Sequence, residues 1–262
     1  MYNETIVLKE HIQLTDKLFI ARFESSQLYK DIKPGQFIHM LIPGMPDHPL
    51  RRPFSVYKVH ESEKTFDILY QVVGEGTLHF SRILPSDSSA CEFEAIGPLG
   101  NTWTLPDPGS RALIVAGGVG AAPLLMHAEA LSNRGYAVDA VLGAQRACDL
   151  VAFDDYASLD GAEVFCATDD GSKGHKGFCT IPAAELIAAR SYDYCACCGP
   201  EPLMRAIASM AKEAGIYCEV SLEKRMGCGI GVCLTCVIDT AQGKKRSCAD
   251  GPIFDVRELL WT

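Results

Sequence analysis

Four cysteines in the last part of the chain have a spacing that can bind a metal cluster. Cys228, Cys233 and Cys236 form a C-x4-C-x2-C segment, and Cys248 follows it. This is the spacing of plant-type [2Fe–2S] clusters, whose two irons take four cysteine thiolates. We therefore predict that these four cysteines are the ligands of such a cluster.

Glycines in the same segment fit a tight loop around inorganic sulfide. Gly227, Gly229 and Gly231 allow the backbone to bend sharply and to present N–H groups to sulfur. Two alternatives remain open. Zinc also binds four cysteines, although zinc ribbons normally use paired C-x2-C motifs, and buried free thiols need no metal.

A glycine-rich turn in the middle of the chain has the features of a nucleotide site. Gly117, Gly118 and Gly120 follow an apolar segment, 112–116, and precede Pro123, which suits the first turn of a helix. Glycine lets a pyrophosphate approach the backbone, and a helix N-terminus favours negative charge. Because the pattern departs from G-x-G-x-x-G, a tight turn without a ligand is the alternative.

Two further candidate segments follow predicted parallel strands. Cys198 and Gly199 lie in a Cys-Cys-Gly-Pro segment after the fourth of these strands, and Asp169 begins an Asp-Asp-Gly-Ser segment after the third. Ligands of open α/β sheets bind at the carboxyl ends of the strands. Either segment could be a plain turn, but two polar loops at this edge favour a ligand site.

Near the amino-terminal end, the segment Arg52-Pro53-Phe54-Ser55 opens a predicted strand. Its arginine and serine could hold a phosphate, and its aromatic ring could pack on a flavin. An ordinary edge strand explains the same residues equally well.

The elements that must position these residues change character near residue 100. Before it, short β-branched and aromatic segments separated by turns predict an antiparallel β-barrel. These segments are 18–23, 36–42, 52–59, 65–73 and 90–96. After it, apolar strands alternate with helices, which predicts a parallel sheet with crossover helices. Its strands are 112–116, 138–143, 163–168, 192–197 and 216–222. The predicted fold class is β plus α/β, with a small Cys-rich module at the end.

The composition excludes several classes of protein. The 262 residues are 48% hydrophobic and 22% charged, as in globular proteins with a full core. A net charge of −9 disfavours binding to nucleic acid or to anionic lipid. The longest apolar run, 112–126, is cut by Gly and Pro and is shorter than the ~20 residues of a membrane helix. With no signal peptide recognisable at the start, we expect a cytoplasmic protein.

The order of these motifs resembles the ferredoxin reductase superfamily: Arg-Pro-Phe-Ser strand, glycine-rich turn, Cys-Gly-Pro segment, C-x4-C-x2-C tail. The tail from Ser221 to Cys236 and the ending Cys248-Ala-Asp-Gly-Pro-Ile-Phe look specifically like electron-transfer subunits of type B dihydroorotate dehydrogenase. The resemblance spans essentially the whole chain. It implies an FAD-binding β-barrel over residues 1–100, an NAD-binding α/β domain over 101–223 and a [2Fe–2S] module over 224–262.

The resemblance also implies binding roles for particular residues. FAD would contact Arg52, Pro53, Phe54 and Ser55, and two further stretches match the family's flavin-binding motifs: Leu69, Tyr70 and Gln71; Gly76 and Thr77. The nicotinamide nucleotide would contact Gly117, Gly118, Gly120, Asp169, Cys198 and Gly199. The family implies NAD, although Gln145 and Arg146, after the second strand of the parallel sheet, could bind the 2′-phosphate of NADP. Because the cofactors carry the redox chemistry, no catalytic side chain is predicted.

By the same resemblance, the chain would pass electrons from dihydroorotate oxidation through the cluster and FAD to NAD⁺, in pyrimidine biosynthesis. The chain has no room for an FMN-binding (β/α)₈ barrel, which needs ~250 residues. We therefore expect a separate FMN-containing catalytic subunit, in a complex of two copies of each, facing the loop 227–233. One alternative is a subunit that moves electrons between NADPH and ferredoxin or sulfur compounds. Another is a zinc-stabilised interaction module without redox activity.

Overall fold

The computed structural model describes residues 1–87, 91–107 and 111–261 of the chain. The described residues do not include 88–90, 108–110 and 262. The first residue of the predicted strand 90–96 and a few residues of the predicted domains therefore lie outside them. The chain forms two compact units. The first contains Met1–Thr102, Glu223–Ile238 and Lys244–Pro252, and the second contains Trp103–Leu222, Asp239–Gly243 and residues 253–261.

The first unit is built on a seven-stranded antiparallel sheet. Its strands are β1 (Tyr2–Gln13), β2 (Leu18–Glu24), β3 (Phe37–Met40), β4 (Arg52–Ser55), β5 (Lys58–His60), β6 (Thr65–Gln71) and β7 (Glu92–Leu99). They lie in the order β4-β3-β7-β1-β2-β6-β5. Two short helices, α1 (Leu28–Asp31) and α2 (Glu75–Phe80), connect them.

The two edge strands of this sheet are consecutive in the chain, which forces the sheet to close. Only Val56 and Tyr57 separate β4 from β5. The N–H of Val56 donates to the carbonyl of Gln36 beside β3, and that of Tyr57 donates to the carbonyl of Asp67 on β6. An open seven-stranded sheet would hold its edges ~29 Å apart, whereas three Cα–Cα steps span at most ~11 Å. The predicted barrel is confirmed, and its predicted strand 52–59 is two strands that meet at the closure.

The barrel core is aromatic and fixes α2. Phe23 and Phe66 stack with ring centroids 5.9 Å apart, and Phe80 of α2 lies 5.2 Å from Phe93. All four side chains are fully buried, and burial of a phenylalanine stabilises a fold by ~1.5–3 kcal/mol. The last residue of α2 is therefore anchored in the core, which holds the rest of this helix against the barrel.

The second unit is built on a seven-stranded sheet that is parallel except at one edge. Its strands include β8 (Arg111–Gly117), β9 (Ala137–Ala144), β10 (Ala162–Thr168), β11 (His175–Lys176), β12 (Tyr194–Cys198) and β13 (Tyr217–Ser221). A separate two-stranded sheet follows, formed by β14 (Val237–Thr240) and β15 (Gly243–Arg246). The seventh strand, β16 (Ile253–Asp255), pairs antiparallel with β13. The order is β11-β10-β9-β8-β12-β13-β16, so the predicted parallel sheet is confirmed.

Crossover helices connect the parallel strands: α3 (Ala122–Ser132), α4 (Phe153–Ala157), α5 (Thr180–Ala189) and α6 (Glu201–Ala214). In α6 the buried residues Met204, Ile207, Ala208 and Ala211 recur at helical spacing and form one apolar face. Within the described ranges, no helix is both long enough and apolar enough to cross a membrane.

The strand order places a switch point between β8 and β12. The chain runs outward from β8 to β9 and β10, then returns to β12 on the other side of β8. Crossovers on the two sides therefore leave a crevice at the carboxyl ends of β8 and β12, which is where open α/β sheets bind ligands.

Candidate functional site

The loop that carries the tail cysteines is wound by three residues with left-handed backbone conformations. These are Gly229 (φ 72°), Gly231 (φ 86°) and Leu234 (φ 60°). A Cβ added at Gly229 would also meet the ring of His39 at 2.4 Å, so both conformation and space require glycine there. Successive turns of this kind direct backbone N–H groups into a concave site that favours anions.

The four predicted ligands fall into two pairs within the first unit. Cys236 and Cys248 are buried beside Phe37 and Leu99 of the barrel, and the N–H of Cys248 donates to the Cys236 sulfur over 3.4 Å. Cys228 and Cys233 form a second, more exposed pair in which the two thiols interact. No three His, Cys, Asp or Glu side chains of the described residues are placed to share a single metal ion.

The thiols of the two pairs differ in their acidity. Hydrogen bonds from Thr235 and from Cys228 lower the pKa of Cys233 to about 6. Burial, together with the neighbouring Cys236, raises the pKa of Cys248 to about 12. A buried thiol becomes a thiolate when a cation compensates the charge. The donor set of four sulfurs in two pairs fits a two-iron cluster, with two thiolates for each iron.

An ion pair between Arg246 and Asp250, here called the Arg246–Asp250 brace, supports the outer side of this loop and was not among the predicted site residues. The Arg246 guanidinium pairs with both carboxylate oxygens of Asp250, at 2.8 and 2.9 Å, and donates to the carbonyl of Gly231 over 3.0 Å. The N–H of Ser247 donates to the carbonyl of Cys236. The pair lies four residues apart, and that spacing of opposite charges is the only signal the sequence offers.

The predicted flavin residues converge where β4 meets α2. The Arg52 guanidinium lies directly against Gly76, because a Cβ added there would be 2.8 Å from Nε. It also donates to the carbonyls of His48, over 3.0 Å, and of Leu50. Thr77 shapes the start of α2, since its hydroxyl oxygen accepts from the N–H of Gly74 over 3.2 Å. An arginine held over a glycine backbone fits a phosphate group, which needs cations and close approach.

Aromatic side chains form a wall beside this arginine. Phe54 and Tyr70 meet edge to face, with centroids 5.8 Å apart, and Tyr70 stacks on Phe80 at 4.6 Å. The Tyr70 hydroxyl is hydrogen-bonded to His11 over 2.8 Å, and burial raises its pKa above the ordinary range. The tyrosine therefore stays neutral, and its ring packs into the aromatic core of the barrel beneath β4 and β6.

The remaining predicted flavin residues lie on the same strands. Pro53 is exposed and Ser55 is partly buried on β4, while Leu69 is buried and Gln71 is partly buried on β6. The structure thus brings Arg52, Phe54, Tyr70, Gly76 and Thr77 into one region, with these four residues beside them.

In the second unit, the glycine-rich turn packs tightly on the Cys-Gly-Pro segment. A Cβ at Gly120 would lie 2.4 Å from the carbonyl oxygen of Cys198, and one at Gly199 would lie 3.0 Å from Gly117 backbone. At Gly118, by contrast, a Cβ would have no neighbour within 4 Å. Two predicted segments therefore meet at the switch point, where Gly118 faces open space.

Asp169 lies two strands away from that turn. Its N–H donates to the carbonyl of Ala144 at the end of β9 over 3.1 Å. Nearby, the Arg146 guanidinium makes a two-point pair with the Asp149 carboxylate, at 2.9 and 3.1 Å. Gly118 and Asp149 both line a small pocket along the carboxyl ends of β8 and β9. Open α/β sheets bind their ligands at this edge.

Comparison with known structures defines the class. The chain superposes with a TM-score of 0.87 and 28% identity on a structure described as an NADH-dependent reduced ferredoxin-NADP oxidoreductase, covering 98% of this chain and 90% of that one. It also shares its fold with a ferredoxin NADP⁺ reductase from Neisseria gonorrhoeae, with a TM-score of 0.65 and 17% identity over 82% of this chain and 92% of that one. The two units have the ferredoxin reductase fold.

Among proteins with the ferredoxin reductase fold, similarity to known sequences identifies the family of this chain. The model of the iron–sulfur cluster binding domain of dihydroorotate dehydrogenase B matches residues 223–260. The chain is 37% identical to the dihydroorotate dehydrogenase B (NAD(+)) electron transfer subunit of Desulforamulus reducens, over 93% of this chain and 92% of that protein. It is 35% identical to the subunit of that name from Clostridium perfringens, over 96% of both chains. The chain belongs to this family, and the family predicted from the sequence is confirmed.

Proposed function

We propose that the chain is the electron-transfer subunit of a type B dihydroorotate dehydrogenase and serves pyrimidine biosynthesis. The observation that carries the proposal is the four-cysteine loop within residues matched by the iron–sulfur domain of that enzyme. The full-length likeness to electron transfer subunits supports it. Its cofactors are a [2Fe–2S] cluster, FAD and NAD. The predicted location in the cytoplasm rests on the sequence alone and stays a prediction.

The residues of this chain would bind and orient the cofactors. Cys228, Cys233, Cys236 and Cys248 hold the cluster. Bound FAD exchanges a hydride with a nicotinamide and single electrons with a cluster. The Arg52 guanidinium would neutralise the FAD phosphates, with Gly76 and Thr77 beside it, and Phe54 and Tyr70 would hold β4 and β6 in place at the flavin site by packing in the barrel core.

The nucleotide would bind at the carboxyl edge of the parallel sheet. Gly117, Gly118 and Gly120 let its pyrophosphate approach the start of α3, and Cys198 and Gly199 border the same crevice. Asp169 stands farther along this edge. We assign no proton-transferring side chain, because the exchange of a hydride with a flavin requires none from the protein.

The cluster can take part in electron transfer only if a partner protein supplies the electrons. We propose an FMN-containing catalytic subunit as that partner, in a complex of two copies of each chain. The glycine-rich loop 227–233 would face it, since three apolar side chains of this loop region are exposed: Ile230, Val232 and Leu234.

Co-expression with an FMN-containing dihydroorotate dehydrogenase subunit tests the proposal. We expect a complex by size-exclusion chromatography with light scattering, a visible spectrum with flavin and iron–sulfur bands, and dihydroorotate-dependent reduction of NAD⁺ only when both chains are present. If the chain alone catalyses that reaction, or if no complex forms, the proposal is wrong. A colourless protein with bound zinc would support the zinc-stabilised module instead.

A second candidate is electron exchange between a nicotinamide nucleotide and ferredoxin. The likeness to the NADH-dependent reduced ferredoxin-NADP oxidoreductase structure favours it. Reduction of ferredoxin by the isolated chain separates the two functions, and the kcat/KM ratio for NADH over NADPH identifies the nucleotide. We expect NADH to be preferred and ferredoxin to be a poor acceptor.

A further inference from the structure

His39 occupies an unusual place in the first unit, between the flavin strand and the cluster loop. It lies on β3, where its register partner on β4 is Pro53 and its partner on β7 is Ile96. Its side chain is fully buried. Pro53 belongs to the strand that bears Arg52, so the backbone at His39 is paired directly with the predicted flavin strand.

The imidazole of the same residue touches the cluster loop. A Cβ added at Gly229 would lie 2.4 Å from Nδ1 and 3.0 Å from Cγ of the ring. Gly229 directly follows the predicted ligand Cys228, and its backbone is left-handed (φ 72°). The loop therefore rests on the Nδ1 edge of the ring.

Both ring nitrogens of His39 are buried without a hydrogen-bond partner in the part of the chain that the structure describes. The carbonyls of Arg51 and Cys228 are close enough to influence the ring, yet neither completes a hydrogen bond of normal geometry. Buried imidazole nitrogens are nearly always paired, and a neutral imidazole carries one N–H donor and one acceptor. An unpaired donor beside the Cys228 end of the loop points to an acceptor that arrives with the cluster.

We propose that His39 is a positioning residue for the cluster: its Nδ1–H donates a hydrogen bond to sulfur at the Cys228 end and so raises the cluster's reduction potential. The proposal rests on the proposed cluster. Hydrogen bonds to sulfur stabilise the reduced, more negative state. Since β3 also pairs with the flavin strand, the same residue fixes this end of the loop relative to β4.

Two substitutions with the same number and branching of side-chain heavy atoms test the hydrogen bond. His39→Asn keeps an N–H donor close to the position of Nδ1, whereas His39→Leu fills similar space without a donor. In the complex with the catalytic subunit, iron, labile sulfide and FAD content are measured first. The cluster potential is then measured by a redox titration followed by electron paramagnetic resonance. We expect the Leu variant to have a more negative potential and changed g-values, and the Asn variant to restore both towards the wild type.

The outcomes separate this inference from the proposed function. If the wild-type protein contains no iron and sulfide, the proposed function fails and this inference fails with it. If the wild type is loaded and both variants keep its potential, or both shift it equally, His39 only fills space and the hydrogen bond is refuted. Loss of the cluster from both variants also refutes it, since the donor retained in Asn would then have no effect. A loaded Asn variant with wild-type potential supports the proposal even where the Leu variant loses its cluster.

Discussion

Cys233 is the most exposed of the four candidate ligands, and its thiol is the most acidic of those with a shifted pKa. Replacement by serine exchanges a soft thiolate for a hydroxyl that binds iron poorly. We expect Cys233→Ser to lose most of its iron and labile sulfide but to retain FAD, because the flavin residues lie on β4, β6 and α2. Cys148→Ser is the matched control, since Cys148 is also exposed. Unchanged iron content in the Cys233 variant would remove this residue from the ligand set.

Arg52 and Arg51 are neighbours with different surroundings, which allows a controlled test of the flavin site. Arg52 lies over Gly76, whereas Arg51 pairs with the Glu94 carboxylate at 2.8 Å. Loss of a charge-assisted contact costs ~1.5–3 kcal/mol. We therefore expect Arg52→Ala to bind FAD about tenfold to a hundredfold more weakly in a fluorescence titration of the apoprotein. Arg51→Ala should bind it as the wild type does, and equal losses in both variants would contradict the assignment.

The sequence reveals local sites far better than long-range ones. The four cysteines stand out because three lie within one short segment with a characteristic spacing. His39 and Gly229 are far apart in the sequence, and only the folding of the barrel brings them together. A histidine on an apolar strand gives no signal of that contact, so the role of His39 could not be predicted, whereas the Arg246–Asp250 pair leaves the weak signal of opposite charges four residues apart.

At the scale of elements, the stability of the β8–α3 turn depends more on Gly120 than on Gly118. A Cβ at Gly120 would lie 2.4 Å from the Cys198 carbonyl oxygen. A Cβ at Gly118 would have no neighbour within 4 Å, but the backbone there is left-handed (φ 57°), which is unfavourable for any residue other than glycine. We expect Gly118→Ala to cost ~1 kcal/mol of unfolding free energy and Gly120→Ala to cost clearly more. Both variants should also raise the KM for NADH in ferricyanide reduction, Gly120→Ala because it separates the two segments of the crevice and Gly118→Ala because its Cβ enters the space proposed for the pyrophosphate.

Chemical denaturation and steady-state kinetics on both variants check this prediction. Equal losses of unfolding free energy in the two variants, or an unchanged KM in the Gly120 variant, would mean that the close packing of Gly120 on Cys198 does not shape the nucleotide site.

Elements with strong periodicity are predicted well, and short ones are not. The strands β8, β9 and β10 agree with the predicted segments to within one residue at each end. The strand β16 has only three residues, too few to show a pattern, and its pairing with β13 depends on the folded sheet. The residues of the tail are divided between the two compact units, and the separate module over residues 224–262 stays a prediction. The split between β4 and β5 likewise arises from barrel closure, which no local pattern records.

At the scale of the whole molecule, the apolar side chains around the cluster loop need an explanation. Val232 is 72% exposed and Leu234 is 62% exposed, next to the cysteine pair that reaches the surface. Exposed apolar side chains grouped beside a functional site are typical of protein–protein interfaces. An interface here would place the cluster within reach of an external electron donor and would shield it from water.

A charge placed in this surface should therefore weaken the complex without harming the isolated chain. We expect Val232→Glu to raise the dissociation constant for the FMN-containing catalytic subunit at least ~tenfold, because an interface would have to bury an unpaired carboxylate. Iron content and NADH-dependent ferricyanide reduction by the chain alone should stay at wild-type values. Leu84→Glu is the matched control, since Leu84 is 53% exposed and lies elsewhere in the first unit. Isothermal titration calorimetry with both variants measures the effect. Wild-type affinity in the Val232 variant would show that the interface does not lie at the cluster loop.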